Sequence, residues 1–416
     1  MTIQSNRKEN IIVTLLLFLT LAILSSNIPG FEWDVSCWKN WTINIHQNGL
    51  AHAYKGGTDY MPLYQYVMFL FGNLAGSTEN IEKHIGGIRV FTLMFDFAGI
   101  YLIYRWTKDR LSYLGVLLFT ALNMGYMYNT LLWFQVDGIV ASLFFAALFF
   151  VQNKRILWST FFLVLALNMK LQTLALIPVW GLLVLFFIVS NRRWWLFLLI
   201  PLVMLATQFI ILIPFGMEGT KGLLEVVQRA VGMFPKITLS ADNIWNLLLG
   251  NDRAYHLDSE LWAGLPFRQW GLILFFFSSF FALFPLLQIL FLKTVGRLKA
   301  SAIPKEIVWL SAALVALLFF FCNTEMHERY CHPALIFIAA YSLYSRRYWP
   351  YILFSIAYFL NLEWVLRYLN LNNYGTLLFD QQFVALLFTG VLALLFFDLF
   401  KARQVFFRKE AHKALI

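Results

Sequence analysis

Charged residues are scarce in this sequence. They make up 13% of its 416 residues, whereas soluble globular proteins carry about 25%. The hydrophobic share is 60% and the aromatic share is 18%. These proportions exclude a soluble globular protein and predict an all-α integral membrane protein in a lipid bilayer. We therefore attribute the net charge of +10 to basic residues beside membrane spans, and we expect no nucleic-acid partner.

Cysteine is also rare. The three cysteines, Cys37, Cys322 and Cys331, are too few for a disulfide framework and match no metal-ligand spacing. We expect them to be small packing residues, and we expect no metal or other cofactor. The first apolar run, 11–28, lacks the small-residue cleavage motif of a signal peptide, so it is expected to remain as a span.

Apolar runs recur along the whole chain, and many approach the roughly 20 residues needed to cross a bilayer. Divided at its polar interruptions, the sequence predicts about 12 spans. Their expected bounds are 11–28, 85–104, 111–129, 136–151, 156–169, 173–189, 194–215, 269–292, 307–322, 333–344, 349–366 and 383–400. Since no soluble domain, low-complexity linker or internal repeat is evident, residues 1–416 are expected to form one domain.

Basic residues predict the orientation. Arg7 and Lys8 precede the first span, which places the amino terminus in the cytoplasm under the positive-inside rule. Residues 61–76 are apolar but short, and if they crossed the membrane, the basic cluster at 105–110 would lie outside. We therefore expect an interfacial or re-entrant helix at 61–76. Both termini are then cytoplasmic, and most of the 32 Lys and Arg lie on the inner side.

This topology places many polar side chains on the outer side of the membrane. Ionisable groups at membrane depth are costly unless they pair or line a cavity, so these residues are candidates for a functional site. They are Asp34, Asp59, Gln135, Asp137, Lys170, Gln172, Arg229, His327, Glu328 and Arg329.

The first outer loop, 31–63, holds two acids among aromatic residues. Asp34 comes directly after the first span, where a carboxylate partly removed from water can take a proton from a hydroxyl. An interfacial helix cap is the alternative for Asp34. Asp59 comes just before Pro62, where it either caps the helix that begins at the proline or supports the site.

The next polar residues lie within or between predicted spans. Arg89 and Asp96 are two turns apart on one helix face, which predicts an ion pair or a bundle contact. Asp137 opens a span together with Gln135 and either caps it or points into the bundle. Lys170 breaks the apolar run between two spans and either snorkels at a tight hairpin or contacts a phosphate.

The densest charged cluster, 324–330, stands at the outer end of a span. His327 and Arg329 could donate hydrogen bonds to a phosphate leaving group, with Glu328 orienting them. The alternative is a plain cluster of charges at the membrane edge.

The order of these motifs resembles that of the GT-C glycosyltransferases. The nearest likeness is to bacterial mannosyltransferases related to the second mannosyltransferase of GPI-anchor assembly. The dolichyl-phosphate-glucose-dependent glucosyltransferases of N-glycan precursor assembly are more distant. The likeness spans residues 30–335, although Met61-Pro62 and Leu132-Trp133 depart from the glucosyltransferase pattern. The segments that carry it are Trp33-Asp34, Trp38-Lys39-Asn40-Trp41, Asp59-Tyr60, Pro62-Leu63, Arg89, Asp96, Phe134-Gln135, Lys170, Gln172, Gln228-Arg229 and Met326-His327-Glu328-Arg329-Tyr330.

The resemblance implies a GT-C type helical bundle with interfacial helices in the first outer loop. It also implies an inverting transferase that takes a hexose, mannose or glucose, from a polyprenyl-phosphate donor. The acceptor would be a hydroxyl of a glycan or glycolipid. Asp34 would be the catalytic base, and His327 and Arg229 would contact the donor phosphate. From charge and placement we add Lys170 and Arg329 as phosphate contacts, and the supporting residues are Asp59, Tyr60, Arg89, Gln135, Asp137, Gln172 and Glu328.

We expect a monomer in a bacterial cytoplasmic membrane with its active site facing outward; the endoplasmic reticulum membrane is the alternative. Two other function classes stay open. A lipid or sugar transporter would more often show repeats or discontinuous helices at the midplane, whereas these polar motifs crowd one side. A lipid-linked glycan ligase or polymerase would share the outer site but use a diphosphate-linked oligosaccharide.

Overall fold

The computed structural model describes residues 7–107, 111–230, 232–250 and 256–415, so Lys108 and Arg110 of the basic cluster lie outside the described residues. The protein is built almost entirely of helices, and the described part contains eight that are long and apolar enough to cross a membrane. The helices are α1 (Arg7–Asn27), α2 (Glu32–Asn48), α3 (Pro62–Ala75), α4 (Thr78–His84), α5 (Arg89–Thr107), α6 (Tyr113–Ala121), α7 (Met124–Met127), α8 (Asp137–Gln152), α9 (Ile156–Leu167), α10 (Ile177–Asn191), α11 (Leu196–Leu212), α12 (Gly216–Arg229), α13 (Ile244–Leu249), α14 (Phe267–Thr294), α15 (Lys305–Cys322), α16 (His332–Ser345), α17 (Trp349–Leu366) and α18 (Gln381–Leu415).

Strands are few and short. β1 (Thr238–Leu239) pairs in parallel with β4 (Met326–His327), and β2 (Leu261–Trp262) pairs antiparallel with β3 (Leu265–Pro266). The described residues also form 3-10 turns at Leu50–Gly56, Ile85–Ile88, Leu171–Leu176, Ile213–Phe215 and Leu377–Phe379, and a π-helical turn at Tyr128–Trp133.

Three of the short helices, α2, α3 and α4, follow α1 in the chain. α3 has 14 residues, about 21 Å at about 1.5 Å per residue, and is shorter than the roughly 30 Å hydrocarbon core. Pro62 begins it because a first-turn residue needs no N–H donor for the helix. The N-cap position of α3 is held by Met61, which makes no side-chain cap, and Gln65 Nε2 donates to Thr58 Oγ1 at 3.0 Å.

The predicted span at 111–129 is broken into α6, α7 and the π turn. The cause is Asn123, whose side-chain oxygen accepts a hydrogen bond from the backbone N–H of Tyr126 at 3.1 Å. This bond caps the amino end of α7 and starts a second helix inside the apolar run. Hydrophobicity alone does not reveal the break, because the capping residue is a single small amide.

The chain divides into two compact units. The first unit comprises Met1–Ala147, Leu157–Leu174 and Leu198–Met233, and the second comprises Leu148–Ile156, Ala175–Phe197 and Phe234–Ile416. In the first unit, only 11% of the apolar 18-residue stretch of α1 is buried, so most of the surface of this helix suits contact with lipid. In the second unit, 83% of the 18 residues of α15 are buried, which makes α15 the central helix of that unit.

Buried amides hold the second unit together around α13. Asn243 caps α13, and its Nδ2 donates to the carbonyl of Phe320 on α15 at 3.3 Å. Asn361 on α17 donates to the carbonyl of Ser240 at 2.8 Å and accepts from the backbone N–H of Asp242 at 3.2 Å. Because Asp242, Asn243 and Asn361 are fully buried, these bonds satisfy polar groups that cannot reach water.

Of the two alternatives for Arg89 and Asp96, the structure shows contacts within the bundle and no ion pair between the two residues. Asp96 is buried and accepts a hydrogen bond from Thr130 Oγ1 at 2.8 Å, and it makes no ion pair with any described residue. Arg89 Nη1 donates to the carbonyls of Ser25 and Ile28, at 2.7 Å in the case of Ile28. Helix spacing put the two charges on one face, but the partners of each come from other segments of the chain.

Gly138, in the first turn of α8, lets the helix lie directly against Asp96. A Cβ at this position would overlap Asp96 Oδ1 and lie 3.0 Å from Asp96 Cγ. By contrast, a Cβ added at Gly181, inside α10, would meet nothing within 4 Å. The absence of a side chain is therefore required at Gly138 but not at Gly181.

We predict that Gly138→Ala destabilises the protein by about 1–3 kcal/mol, because the added methyl group overpacks a buried contact. Gly181→Ala, the matched control, should be neutral or stabilising by up to about 1 kcal/mol, since alanine favours a helix interior. Thermal unfolding of both purified variants in detergent measures the difference. Equal stability of the two variants would show that Asp96 does not pack against α8 as described.

The expected orientation can be tested with two single cysteines. Lys55, in the first outer loop, and Arg155, between α8 and α9, are both exposed and are predicted to lie on opposite sides of the membrane. In a Cys37→Ser background, Lys55→Cys should react with an impermeant maleimide applied to intact cells, whereas Arg155→Cys should react only after permeabilisation. The opposite pattern would reverse the topology.

Candidate functional site

Asp34 lies in the first turn of α2 and is half-buried. Trp133 Nε1 and Gln135 Nε2 both donate to Asp34 Oδ2, at 3.0 and 2.5 Å. Within the described part of the chain, no group donates a hydrogen bond to the other carboxylate oxygen, Oδ1. The carboxylate is therefore held in one orientation while one of its oxygens can still accept a proton.

The two donors to Asp34 flank a reversal of the backbone at Phe134. This residue has a φ of +76°, a conformation that few non-glycine residues adopt. Two contacts stabilise it: Trp38 Nε1 donates to the Phe134 carbonyl at 3.2 Å, and the Arg89 guanidinium carbon lies 3.9 Å from the centre of the phenyl ring. Arg89 thus supports the site through Phe134.

Tyr60 lies between Gln135, which binds Asp34, and the cation Lys170. Its hydroxyl donates to Gln135 Oε1 at 3.2 Å, so the Gln135 amide accepts from Tyr60 while it donates to Asp34. The ring of Tyr60 packs edge-on against Trp38 at 4.8 Å, and Lys170 Nζ lies 5.5 Å from its centre. These contacts fix the orientation of the Gln135 amide.

Asp137 and Lys170 form a buried ion pair. Lys170 Nζ lies 2.6 Å from Asp137 Oδ1, and Asn129 Nδ2 donates to Asp137 Oδ2 at 3.2 Å. The Asp137 side chain is fully buried at the amino end of α8, where the helix dipole favours a negative charge. Asp137 is the first residue of α8, and its carboxylate is directed to these side chains. We call Asp34, Tyr60, Trp133, Gln135, Asp137 and Lys170 the Asp34 site.

The other predicted residues of the first unit lie around this network. Asp59 is exposed, and Gln172 lies in a 3-10 turn. Arg229 is the exposed last residue of α12, and its side chain makes no hydrogen bond or ion pair with the described residues. Burial raises the pKa of the Cys37 thiol, and the negative charges of Asp34 and Asp59 raise it further. Both acids thus act on this one thiol.

In the second unit, His327 is held between two aromatic rings. Phe234 lies edge-on at 5.7 Å and Tyr330 at 5.1 Å between ring centres. The pairing of β4 with β1 fixes the backbone of His327, and Glu325 Oε2 accepts from the backbone N–H of Phe234 at 3.2 Å. The imidazole is thereby oriented and remains partly exposed.

Glu328 is the buried anion of this cluster. Arg329 Nη1 donates to Glu328 Oε1 at 2.6 Å, and His327 Nδ1 lies 3.8 Å from Oε2. Burial by itself would raise the pKa of Glu328, but the charge of Arg329 and the contact with His327 outweigh it, so the pKa lies below its ordinary value. Glu328 therefore stays ionised and orients both neighbours. We call His327, Glu328 and Arg329 the His327 cluster.

Sequence reasoning missed two donors of the Asp34 site. Trp133 appeared only as a departure from a family pattern, yet its indole N–H binds Asp34. Asn129 was assigned to a span, yet its amide binds Asp137. The available signal in the sequence was a polar atom inside an apolar run. The partners of Asn129 and Trp133 depend on the π-helical turn that contains both residues, and the apolar pattern does not predict this turn.

Among the described residues, no group of three or more His, Cys, Asp or Glu side chains is arranged to hold a metal ion. Metal independence stays a prediction from the sequence.

No protein-family model matches this chain, and no curated protein sequence matches it.

The Cys37 thiol reports the charge of Asp34. Because that charge opposes formation of the thiolate, Asp34→Asn should lower the pKa of Cys37 and speed its alkylation at pH 8. Glu32→Gln, which removes an exposed acid from the same turn, is the matched control and should leave the rate unchanged. Alkylation of Cys37, followed by mass spectrometry between pH 7 and 10, measures the shift. An unchanged profile in Asp34→Asn would place the carboxylate away from the thiol.

Proposed function

We propose that this protein is an inverting glycosyltransferase of the GT-C type, with about 12 membrane spans. It transfers a hexose, mannose or glucose, from a polyprenyl-phosphate donor to a hydroxyl group of a glycan or glycolipid. The proposal places it in a bacterial cytoplasmic membrane with its active site on the outer side. The observation that supports it is the arrangement of Asp34, a half-buried carboxylate with one oxygen held by two donors and the other bonded to no described residue.

Asp34 is the general base in this scheme. Its Oδ1 takes the proton of the acceptor hydroxyl as that oxygen attacks the anomeric carbon from the face opposite the phosphate. The new glycosidic bond forms while the bond from the anomeric carbon to the phosphate oxygen breaks. Polyprenyl phosphate leaves with the bonding electron pair. A phosphate leaving group needs no proton from an acid, so a single carboxylate is sufficient.

The orientation of Asp34 matters more than its proximity alone. Trp133 and Gln135 bind the same oxygen, which directs the second oxygen away from both. Tyr60 in turn binds the Gln135 amide, so a donor to Asp34 is itself fixed. A base that is oriented before the acceptor arrives needs little rearrangement when the proton moves.

The donor phosphate requires positive charge and hydrogen-bond donors. We assign this role to His327, Arg329, Arg229 and Lys170. The ion pairs with Asp137 and Glu328 hold the Lys170 ammonium and the Arg329 guanidinium in fixed positions. Fixed cations of this kind stabilise the charge that develops on the leaving phosphate.

The proposal predicts that Asp34→Asn lowers the turnover number by about 10²- to 10⁴-fold, because the amide cannot accept the proton. Asparagine has nearly the same shape as aspartate, so binding of the donor substrate should change little. Reconstituted protein would be given a polyprenyl-phosphate hexose and an acceptor, and both polyprenyl phosphate release and hexose transfer would be measured. Glu32→Gln, an exposed acid in the same turn, is the control and should keep full activity.

Three outcomes would contradict this proposal. Near-normal turnover of Asp34→Asn removes Asp34 from the role of base. Failure of the unmodified protein to release polyprenyl phosphate, with movement of the lipid or sugar across the membrane, identifies a transporter. Release of polyprenyl diphosphate from an oligosaccharide-linked lipid identifies a ligase or polymerase.

A further inference from the structure

The last helix of the chain extends well beyond the length of a membrane span. α18 has 35 residues, about 52 Å at about 1.5 Å per residue, against a hydrocarbon core of roughly 30 Å. Its apolar part ends at Phe400, and the following turns carry Lys401, Arg403, Arg408 and Lys409. This basic part therefore lies at or beyond the level of the lipid headgroups.

A cleft of about 370 Å³ lies between this basic part and α14, within the second unit. This volume falls within the range of about 300–1,000 Å³ that is usual for small-ligand pockets. None of the lining residues is acidic. They are Gln288 of α14 and Gln404, Phe407, Arg403, Arg408 and Ala411 of α18.

Arg403 is held in place by contacts that leave most of its donors unused. Its Nε donates to Gln288 Oε1 at 2.6 Å, and its guanidinium carbon lies 5.3 Å from the ring centre of Phe284 and 5.7 Å from that of Phe407. These three contacts fix the plane of the guanidinium. In the part of the chain that the structure describes, no group accepts a hydrogen bond from its two Nη atoms.

Two further donors of the cleft have no acceptor among the described residues. The Gln288 amide nitrogen has no hydrogen bond to any described residue, and Arg408 is exposed and likewise makes none. Oriented cationic donors that meet no acid match an anion, and a planar guanidinium with both Nη atoms available matches the oxygens of a phosphate.

The position of the cleft selects the source of that phosphate. Phe397 of α18, which precedes Arg403 on the span side of the cleft, is 61% exposed, so apolar surface that suits acyl chains adjoins the cleft there. The positive-inside rule places this end of both helices at the cytoplasmic leaflet. Basic pockets between helices at that surface suit anionic phospholipid headgroups.

We propose that Arg403, Arg408 and Gln288 form a binding site for the phosphate of an anionic phospholipid headgroup at the cytoplasmic ends of α14 and α18. The lipid bridges the two helices, because its phosphate contacts α18 through both arginines and α14 through the Gln288 amide. It therefore stabilises the folded second unit. This site does not depend on the proposed glycosyl transfer, and its test uses no transfer assay.

The test uses the purified full-length protein in a neutral detergent. Thermal unfolding is measured as phosphatidylglycerol, phosphatidylcholine or inorganic phosphate is added. Phosphatidylglycerol should raise the unfolding temperature more than phosphatidylcholine, whose choline cation is repelled by the arginines, and more than inorganic phosphate. In Arg403→Gln/Arg408→Gln, about tenfold more phosphatidylglycerol should be needed for half of the effect, since charge-assisted hydrogen bonds are lost.

Two further variants make the result decisive. Lys401→Gln/Lys409→Gln removes the same charge from the same helix outside the cleft and should respond as the unmodified protein does. Arg408→Gln alone, at an exposed residue that makes no hydrogen bond or ion pair with the described residues, should weaken the lipid effect in the same direction without harming the fold. If the two double variants lose the lipid effect equally, the lipid is attracted by diffuse positive charge. If inorganic phosphate stabilises the protein as much as phosphatidylglycerol does, the site binds small anions. If Arg403→Gln/Arg408→Gln responds as the unmodified protein does, the two arginines do not bind the lipid. Each of these three results overturns the proposal.

Discussion

The backbone reversal at Phe134 is the constraint on which the Asp34 site depends. Because this residue has a positive φ, the side chains on either side of it, Trp133 and Gln135, can reach the same carboxylate oxygen. A non-glycine residue in this conformation carries strain and persists only where its surroundings hold it. Trp38 binds its carbonyl and Arg89 covers its ring, so two residues with no direct contact to a substrate maintain the geometry of the proposed base.

The Asp34 site contains two carboxylates in different environments. Asp137 is fully buried and compensated by Lys170, so its charge is neutralised within the protein. Asp34 is half-buried, and among the described residues it is bound by two neutral donors that both reach the same oxygen. In the proposed reaction, this contrast assigns the proton transfer to Asp34 and leaves Asp137 to hold Lys170 in position. Environment, not residue type, separates the two roles.

Much of the helical architecture could be predicted from the sequence, because apolar runs and polar interruptions determine where helices begin and end. The prediction for α17 matches the structure residue for residue, and those for α8, α14 and α15 agree within two residues at each end. What the sequence could not provide was tertiary: the cap at Asn123, the π turn, and the choice of partners for Arg89 and Asp96. Helix periodicity assigns a residue to a face, but it does not say which other segment will meet that face.

The buried amides around α13 carry a consequence for synthesis. Asp242 and Asn361 are 119 residues apart, and ribosomes add about 5–20 residues per second, so about 6–24 s separate the emergence of the two partners. During that interval, the backbone N–H of Asp242 has to bind water or another acceptor. The segment around α13 is therefore completed only after α17 has been made, and the second unit closes late in translation.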